Sequence, residues 1–448
     1  TKTTNGRTTL TIVIDRRAVL AGAATALAMP AVLREARAQS PVTVTMWTFL
    51  DPTKDGGRER ALKQMIESFE AANPGVRIRV EPQVWTTLGE KFVLGHNSRN
   101  APDIGWVNAE NLGLILNTEA AADLKPLVVD QWPAERRRDM LVPSLLESMT
   151  VGGKVLAMPI MAATWALMVR RDLMAQAGVT MDDLKTWDGV VVAAKKMTRD
   201  TNGDGQPDVW GFGLGLATER FSMTPAVLGT VGAQGGLFGD GCKARIATAD
   251  AAKALQWQAD LITTHRVTPR EAVAMTSDDA IDQFAAGRYA MQIVANSRFE
   301  QIQRTAAGWN KDDLAITAVP GWSADKPGPT VIAGWYAVAW RNSPRLREAA
   351  RFIEHMTNPA AMALWSNPGT QVPMMRSILA RPEMAEPRNA PLRTVAELFG
   401  VSGTSMPGQC NWARTFADFN LATQQVVLGQ RTVADALKQA EAATQDRQ

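Results

Sequence analysis

Val42, Val44 and Met46 alternate with threonines, the two-residue period of a strand with one apolar face. Residues 58 to 71 then place Leu62, Met65, Ile66 and Phe69 at helical spacing, and Asn73-Pro74-Gly75 ends that helix. Val76, Ile78 and Val80 alternate with arginines as a second strand. A helical stretch from Thr86 to Ser98 leads through Ala101-Pro102 into a third strand, Asp103 to Val107. Strand, helix, strand, helix, strand is the opening of a doubly wound α/β domain. By contrast, Gly211-Phe212-Gly213-Leu214-Gly215 lacks the spacing of a dinucleotide-binding loop and reads as a loop or bulge.

Ahead of the first strand lies a segment of another kind. Arg16-Arg17 precede an apolar, Ala-rich run from Ala18 to Val32, and Ala36-Arg37-Ala38 supplies the small residues of a cleavage site before Gln39. About 15 apolar residues are too few to cross a bilayer, which needs roughly 20. Residues 1–38 are therefore expected to be a cleaved signal peptide, and the paired arginines suit the twin-arginine route, although Asp15 stands where that motif has Ser or Thr. No cysteine stands directly after the cleavage site, both lying far downstream, so the expectation is a periplasmic protein without a lipid anchor.

The 448-residue chain is 46% hydrophobic and 21% charged, long enough for two domains with sizeable cores. Its formal charge of +3 owes an excess of four cations to residues 1–38, so removing them leaves about −1 and no argument for nucleic acid or an anionic membrane surface. Arg136-Arg137-Arg138, flanked by Glu135 and Asp139, reads as a solvated helix face. Cys242 and Cys410 are free to pair or not in an oxidising compartment. His96, His265 and His355 stand at no zinc-site spacing, and no nucleophile elbow or phosphate-binding loop is present.

Ligands of doubly wound sheets bind beyond the carboxyl ends of the strands. There this sequence repeats one pairing, an aromatic ring with a polar side chain: Trp47 with Asp51, Gln83 with Trp85, and Trp106 with Asn108 and Glu110. Flat rings suit the C–H faces of a sugar, and amides and carboxylates bind its hydroxyls. Fourteen tryptophans against two tyrosines favour ligand platforms among them.

Seven segments carry a resemblance, in order: Ala101-Pro102-Asp103-Ile104, Ala121 to Leu127, Gly152 to Pro159, Val169 to Met174 with Ala177-Gly178-Val179, Thr186-Trp187-Asp188, Phe284 to Met291, and Gly334 to Val338. Together with a closing helix pair from Gln424 to Ala440, they resemble the extracellular solute-binding proteins of ABC importers, in their large sugar-binding class. The resemblance implies a two-lobed α/β periplasmic-binding-protein fold, type II-like, each lobe a doubly wound sheet flanked by helices. Residues 39–158 plus 312–356 would form the N-lobe, and 159–311 plus 357–448 the C-lobe. Ligand would lie in the cleft and hold the closed state for an ABC permease. The implied binding residues are Thr164 and Trp165, Arg298 and Phe299, and Gly334 and Trp335, beside Trp47, Asp51, Trp85, Trp106, Asn108 and Glu110.

The sequence departs from the family pattern at Arg170, in place of Asn, and at Ala295 to Phe299, where Arg298 adds a fixed positive charge near the cleft. A guanidinium fork suits a carboxylate, phosphate or sulfonate, so an anionic sugar derivative or polyol phosphate stands as an alternative ligand. A salt bridge from Arg298 to Glu300 is the plainer reading. Asp200, Asn202, Asp204, the Gln206 carbonyl and Asp208 copy the first nine positions of an EF-hand loop, offering a structural calcium site or an Asx-rich turn. Position twelve is Gly211, not Glu. No cofactor is required and no catalytic residue is expected; the alternative of a secreted carbohydrate-active enzyme needs two carboxylates across a cleft, for which Asp51 and Glu110 are the candidates. A monomer is implied by the family, and docking on a chemoreceptor stays open.

Overall fold

The computed structural model describes residues 40–445 apart from 219–237, 327, 329, 368, 402, 406 and 407. Residues from Val42 onward belong to one compact unit; the export signal expected over residues 1–38 lies outside the described residues. Strand β1 (Val42–Thr48) buries Val44, Met46 and Thr48 on one face, as the alternation requires. Helix α1 (Gly57–Ala72) turns Ala61, Leu62, Met65 and Phe69 inward, and ends where the Asn73 side chain donates to the Phe69 carbonyl. Strand β2 (Val76–Pro82), helix α2 (Leu88–Asn97) and strand β3 (Ile104–Asn108) follow, with β2 and β3 both parallel to β1.

Further along the sheet run β4 (Met158–Arg170), β5 (Trp210–Gly213), β6 (Tyr289–Ala295), β7 (Leu314–Thr317), β8 (Thr330–Ala339) and β9 (Gly403–Ser405). All nine belong to one mixed sheet of order β2-β1-β3-β8-β4-β6-β5, with β9 beside β8 and β7 beside β4. The two longest strands join the halves. The first part of β4 pairs with β8, and its second part, from Trp165, with β6 and β7. Two α/β lobes thus share a sheet, and one continuous apolar core includes Met46 and Trp106 from the first and Val169, Phe212 and Trp257 from the second.

The expected lobe boundaries shift in two places. β7 lies beyond residue 312 yet pairs with Leu167–Arg170, so the return to the N-lobe comes after Thr317. Helices α7 (Leu346–Thr357) and α8 (Pro359–Ser366) both pack on α1, and Met375 bridges to Met140, so the N-lobe continues past residue 357. The intervening C-lobe helices are α3 (Trp187–Met197), α4 (Ala249–Thr263), α5 (Ser277–Ala285) and α6 (Phe299–Thr305). After α8 come α9 (Ala390–Val401), α10 (Trp412–Val427) and α11 (Val433–Gln445), the last two packed on α4.

Three local readings change. Residues 211–213 belong to β5, not to a loop: a Cβ on Gly211 would meet the Ala194 carbonyl at 2.0 Å and one on Gly213 the Tyr289 ring at 2.5 Å, so these glycines let the strand approach its neighbours. Arg136 is buried, paired with Glu354 at 2.7 Å and stacked over Trp132; only its two neighbours in the basic run keep the solvated character. Cys242 and Cys410 form a disulfide, Cα atoms 5.3 Å apart, closing the tail onto the C-lobe.

Candidate functional site

A cavity of about 120 Å³ lies where β4 and β8 cross between the lobes. From the N-lobe it is lined by Phe49, Arg58, Trp85, Asn108, Glu110 and Trp335, and from the C-lobe by Trp165, Ser277, Ile281, Ser297 and Arg298. Gly334 is where the strands meet most closely. Its φ is +153°, and a Cβ there would meet the Met161 carbonyl at 1.9 Å, so only glycine lets β8 run past β4 before the register shift at Trp335.

Phe49 and Trp335 form the aromatic floor, ring centroids 4.3 Å apart, and both rest on the buried Trp106 at 6.0 and 6.5 Å. Beside them Asn108 donates from Nδ2 to Glu110 at 2.8 Å and accepts from Asn111 Nδ2 at 2.9 Å. Glu110 is buried, and loss of water pushes its carboxyl up to about 7 although the Asn108 bond favours the anion. Tyr336, also buried, is raised by desolvation and by the nearby Glu110 charge.

Two arginines face the cavity from opposite sides. Arg298 is held by Asp278 at 2.8 Å and by Gln301 at 2.7 Å, and its guanidinium lies 5.7 Å from the Trp85 ring, a contact that spans the lobes. The expected pairing with Glu300 is replaced by Asp278, since Glu300 lies against Arg304 at 3.5 Å. Arg58, in the first turn of α1, lies 5.2 Å from the Phe49 ring. Burial, and after it the charge of Arg298, bring it down to about 10.

Seven residues singled out from sequence therefore line the cavity: Trp85, Asn108, Glu110, Trp165, Arg298, Gly334 and Trp335. Five do not. Trp47 points from the other face of β1 and donates to Glu81 at 2.8 Å. Asp51 closes a surface turn, accepting from Thr53, whose bonds hold it below the ordinary carboxylate value. Trp106 is wholly buried beneath the floor. Thr164 is buried in the crossing, its N–H donating to Asn296 Oδ1 and its hydroxyl to the Val331 carbonyl. Phe299 faces an open outer groove of about 1130 Å³ lined by charged residues such as Arg304, Lys311 and Arg388. Arg58, Met161, Ser277, Ile281 and Gln371 are among the lining residues that pattern reading passed over.

In the Asp200 to Asp208 loop the carboxylates are taken up by the loop itself. Asp200 accepts the N–H groups of Gly203 and Gly205 at 2.6 and 2.8 Å, and Asp208 accepts from the Thr201 N–H and hydroxyl, the geometry of an Asx-rich turn. Among the described residues no three His, Cys, Asp or Glu side chains converge as a cation cage.

The profile of the family described as "Bacterial extracellular solute-binding protein" matches residues 64–393. The chain belongs to that family. The arabinooligosaccharide-binding protein of Bacillus subtilis is 26% identical to this solute-binding protein over 166 residues, 35% of each chain; the match thus spans about a third of that relative's length. Two solved structures share the fold across most of both chains. The ABC substrate-binding protein Lmo0181 of Listeria monocytogenes, in complex with cycloalternan, superposes with a TM-score of 0.75 at 19% identity, covering 91% of this chain and 98% of that one. A solute-binding protein of Agrobacterium vitis with bound D-mannitol gives 0.70 at 19%, covering 91% and 97%. The two-lobed architecture is therefore shared at an identity that leaves the lining side chains to each protein.

Proposed function

We propose that this solute-binding protein captures a carbohydrate or polyol between its lobes in the periplasm and delivers it, chemically unchanged, to an ABC permease, acting as a monomer without a cofactor. One observation carries the reading: a cavity shared by both lobes sets aromatic faces, Trp335, Trp85 and Trp165, against the hydrogen-bonding pair Asn108 and Glu110. The relatives named for an arabinooligosaccharide, cycloalternan and D-mannitol support it. At about 120 Å³ the cavity is smaller than the roughly 300–1,000 Å³ usual for ligand pockets, which favours a compact ligand. Export by the twin-arginine route is part of the same proposal, supported by Arg16-Arg17 and the cleavage site before Gln39.

Hydrolytic chemistry finds little support. Glu110 has the raised affinity for a proton that a general acid needs, but among the described lining residues it is the sole carboxylate, and Asp51 faces solvent. The test is a thermal-shift screen of the purified protein against neutral sugars, polyols, sugar acids and sugar phosphates. A ligand at about a hundred times its Kd adds roughly 2.7 kcal/mol, a shift of several degrees. A hit recovered intact after incubation supports capture and delivery; a hydrolysed hit, or silence across the panel, overturns it.

A further inference from the structure

The Arg58 guanidinium has five N–H donors and faces the cavity. Among the described residues no side chain or carbonyl accepts from any of them; its contact is the Phe49 ring. Glu59 and Glu300 are near enough to act on it through space, yet neither pairs with it, and Glu300 is engaged by Arg304. Its nitrogens are still reached by solvent, so they can exchange water for a ligand group without first breaking a contact within the protein. Opposite it, Arg298 is held in place by Asp278 and Gln301 but spends only two of its five donors on them. The N-terminal ends of α1 and α5, where Arg58 and Ser277 lie, also meet this cavity and add their positive partial charge. Among the described lining residues the one opposing carboxylate is Glu110, whose negative charge burial disfavours.

We propose that the ligand carries an anionic group, a carboxylate, phosphate or sulfonate, that is bound between Arg58 of the N-lobe and Arg298 of the C-lobe, with its hydroxylated body on the Trp335 floor. Bridging two cations that otherwise repel, the group draws the lobes together, so selectivity for the acid and closure arise from the same contacts. This rests on the carbohydrate-capture reading and narrows its substrate class.

Calorimetric titration with matched pairs tests it: D-galacturonate against D-galactose, D-glucuronate against D-glucose, glucose 6-phosphate against glucose, and glycerol 3-phosphate against glycerol. The sugar acids probe for a carboxylate, the phosphates for a phosphate. In at least one pair the acid is expected to bind about tenfold or more tightly than its neutral partner, with an affinity that falls as salt rises. Arg58→Gln is expected to bring that ratio close to one, Arg58→Lys to leave it intermediate, and Arg58→Gln to melt, unliganded, at the same temperature or higher. Neutral partners that bind as tightly as the acids in every pair overturn the anionic group while leaving carbohydrate capture intact. Loss of several degrees in unliganded Arg58→Gln makes Arg58 a structural residue and overturns its assignment. Silence from acids and neutral partners alike removes both readings.

Discussion

The two walls of the cavity differ in how much of their polar chemistry is already satisfied. On the C-lobe side, Arg298 is anchored by Asp278 and Gln301, so this cation is positioned before anything arrives. On the N-lobe side, Arg58 has among the described residues its ring contact alone, and Glu110, though bonded by Asn108, has its charge disfavoured by burial. A wall with unmet valences gains most from a ligand, and a wall with met ones gains most from being rigid. In the capture proposed above, the N-lobe would therefore engage the ligand first and the C-lobe close over it.

The largest effect expected from this contrast is on the floor. Trp335→Ala should cost about 3 kcal/mol of binding, roughly a hundredfold in Kd, for the sugar found in the thermal screen, while Trp165→Ala on the other wall should cost about half as much; titration calorimetry compares them. Equal losses would erase the distinction between capture and closure.

Glu110 gives a smaller effect that can be read without ligand. Its folded value near 7 lies above the ordinary 4.5, so between those values the folded protein keeps a proton that the unfolded chain has released. Stability from this group is therefore greatest at low pH and falls as pH rises through that window, by up to about 3 kcal/mol. Urea denaturation at pH 5 and pH 8 should show this decline relative to Glu110→Gln, in which the difference is removed. The desolvated histidines His265 and His355, lowered by burial, act in the opposite direction and are common to both proteins.

Much of the frame was legible because it depends on period. Alternation gave β1 and β2, and helical spacing gave α1, because burial on one face dictates those patterns. Parity could also have removed Trp47, which shares its face with Thr43 and Thr45 and not with buried Val44, Met46 and Thr48. It could not place Trp106, since every residue of β3 is buried and neither face is marked. Arg58 was illegible for another reason: in the first turn of an amphipathic helix it reads as one more solvated polar residue. Its meaning comes from Arg298, 240 positions away in sequence. Phe299 follows Arg298 directly, yet the start of α6 turns it to the outer groove.

Smaller still, Ser297→Ala on the prepared wall should change Kd less than about threefold, since one neutral hydrogen bond contributes roughly 1 kcal/mol or less. Asp278→Asn, which loosens Arg298 without removing it, should act mainly on the rate of ligand release, followed by stopped-flow fluorescence of the cavity tryptophans. A Ser297 effect as large as that of Trp335 would reverse the order of the two walls.

β4 passes from one lobe to the other, and the larger apolar cluster draws on both. The two lobes are therefore expected to melt together, so that calorimetry should record one endotherm rather than two. A small molecule touching about a dozen side chains would then slow hydrogen exchange in amides throughout the sheet, remote β2 included. A permease receiving the ligand as proposed would then meet a change in the whole body's rigidity as well as in its outline.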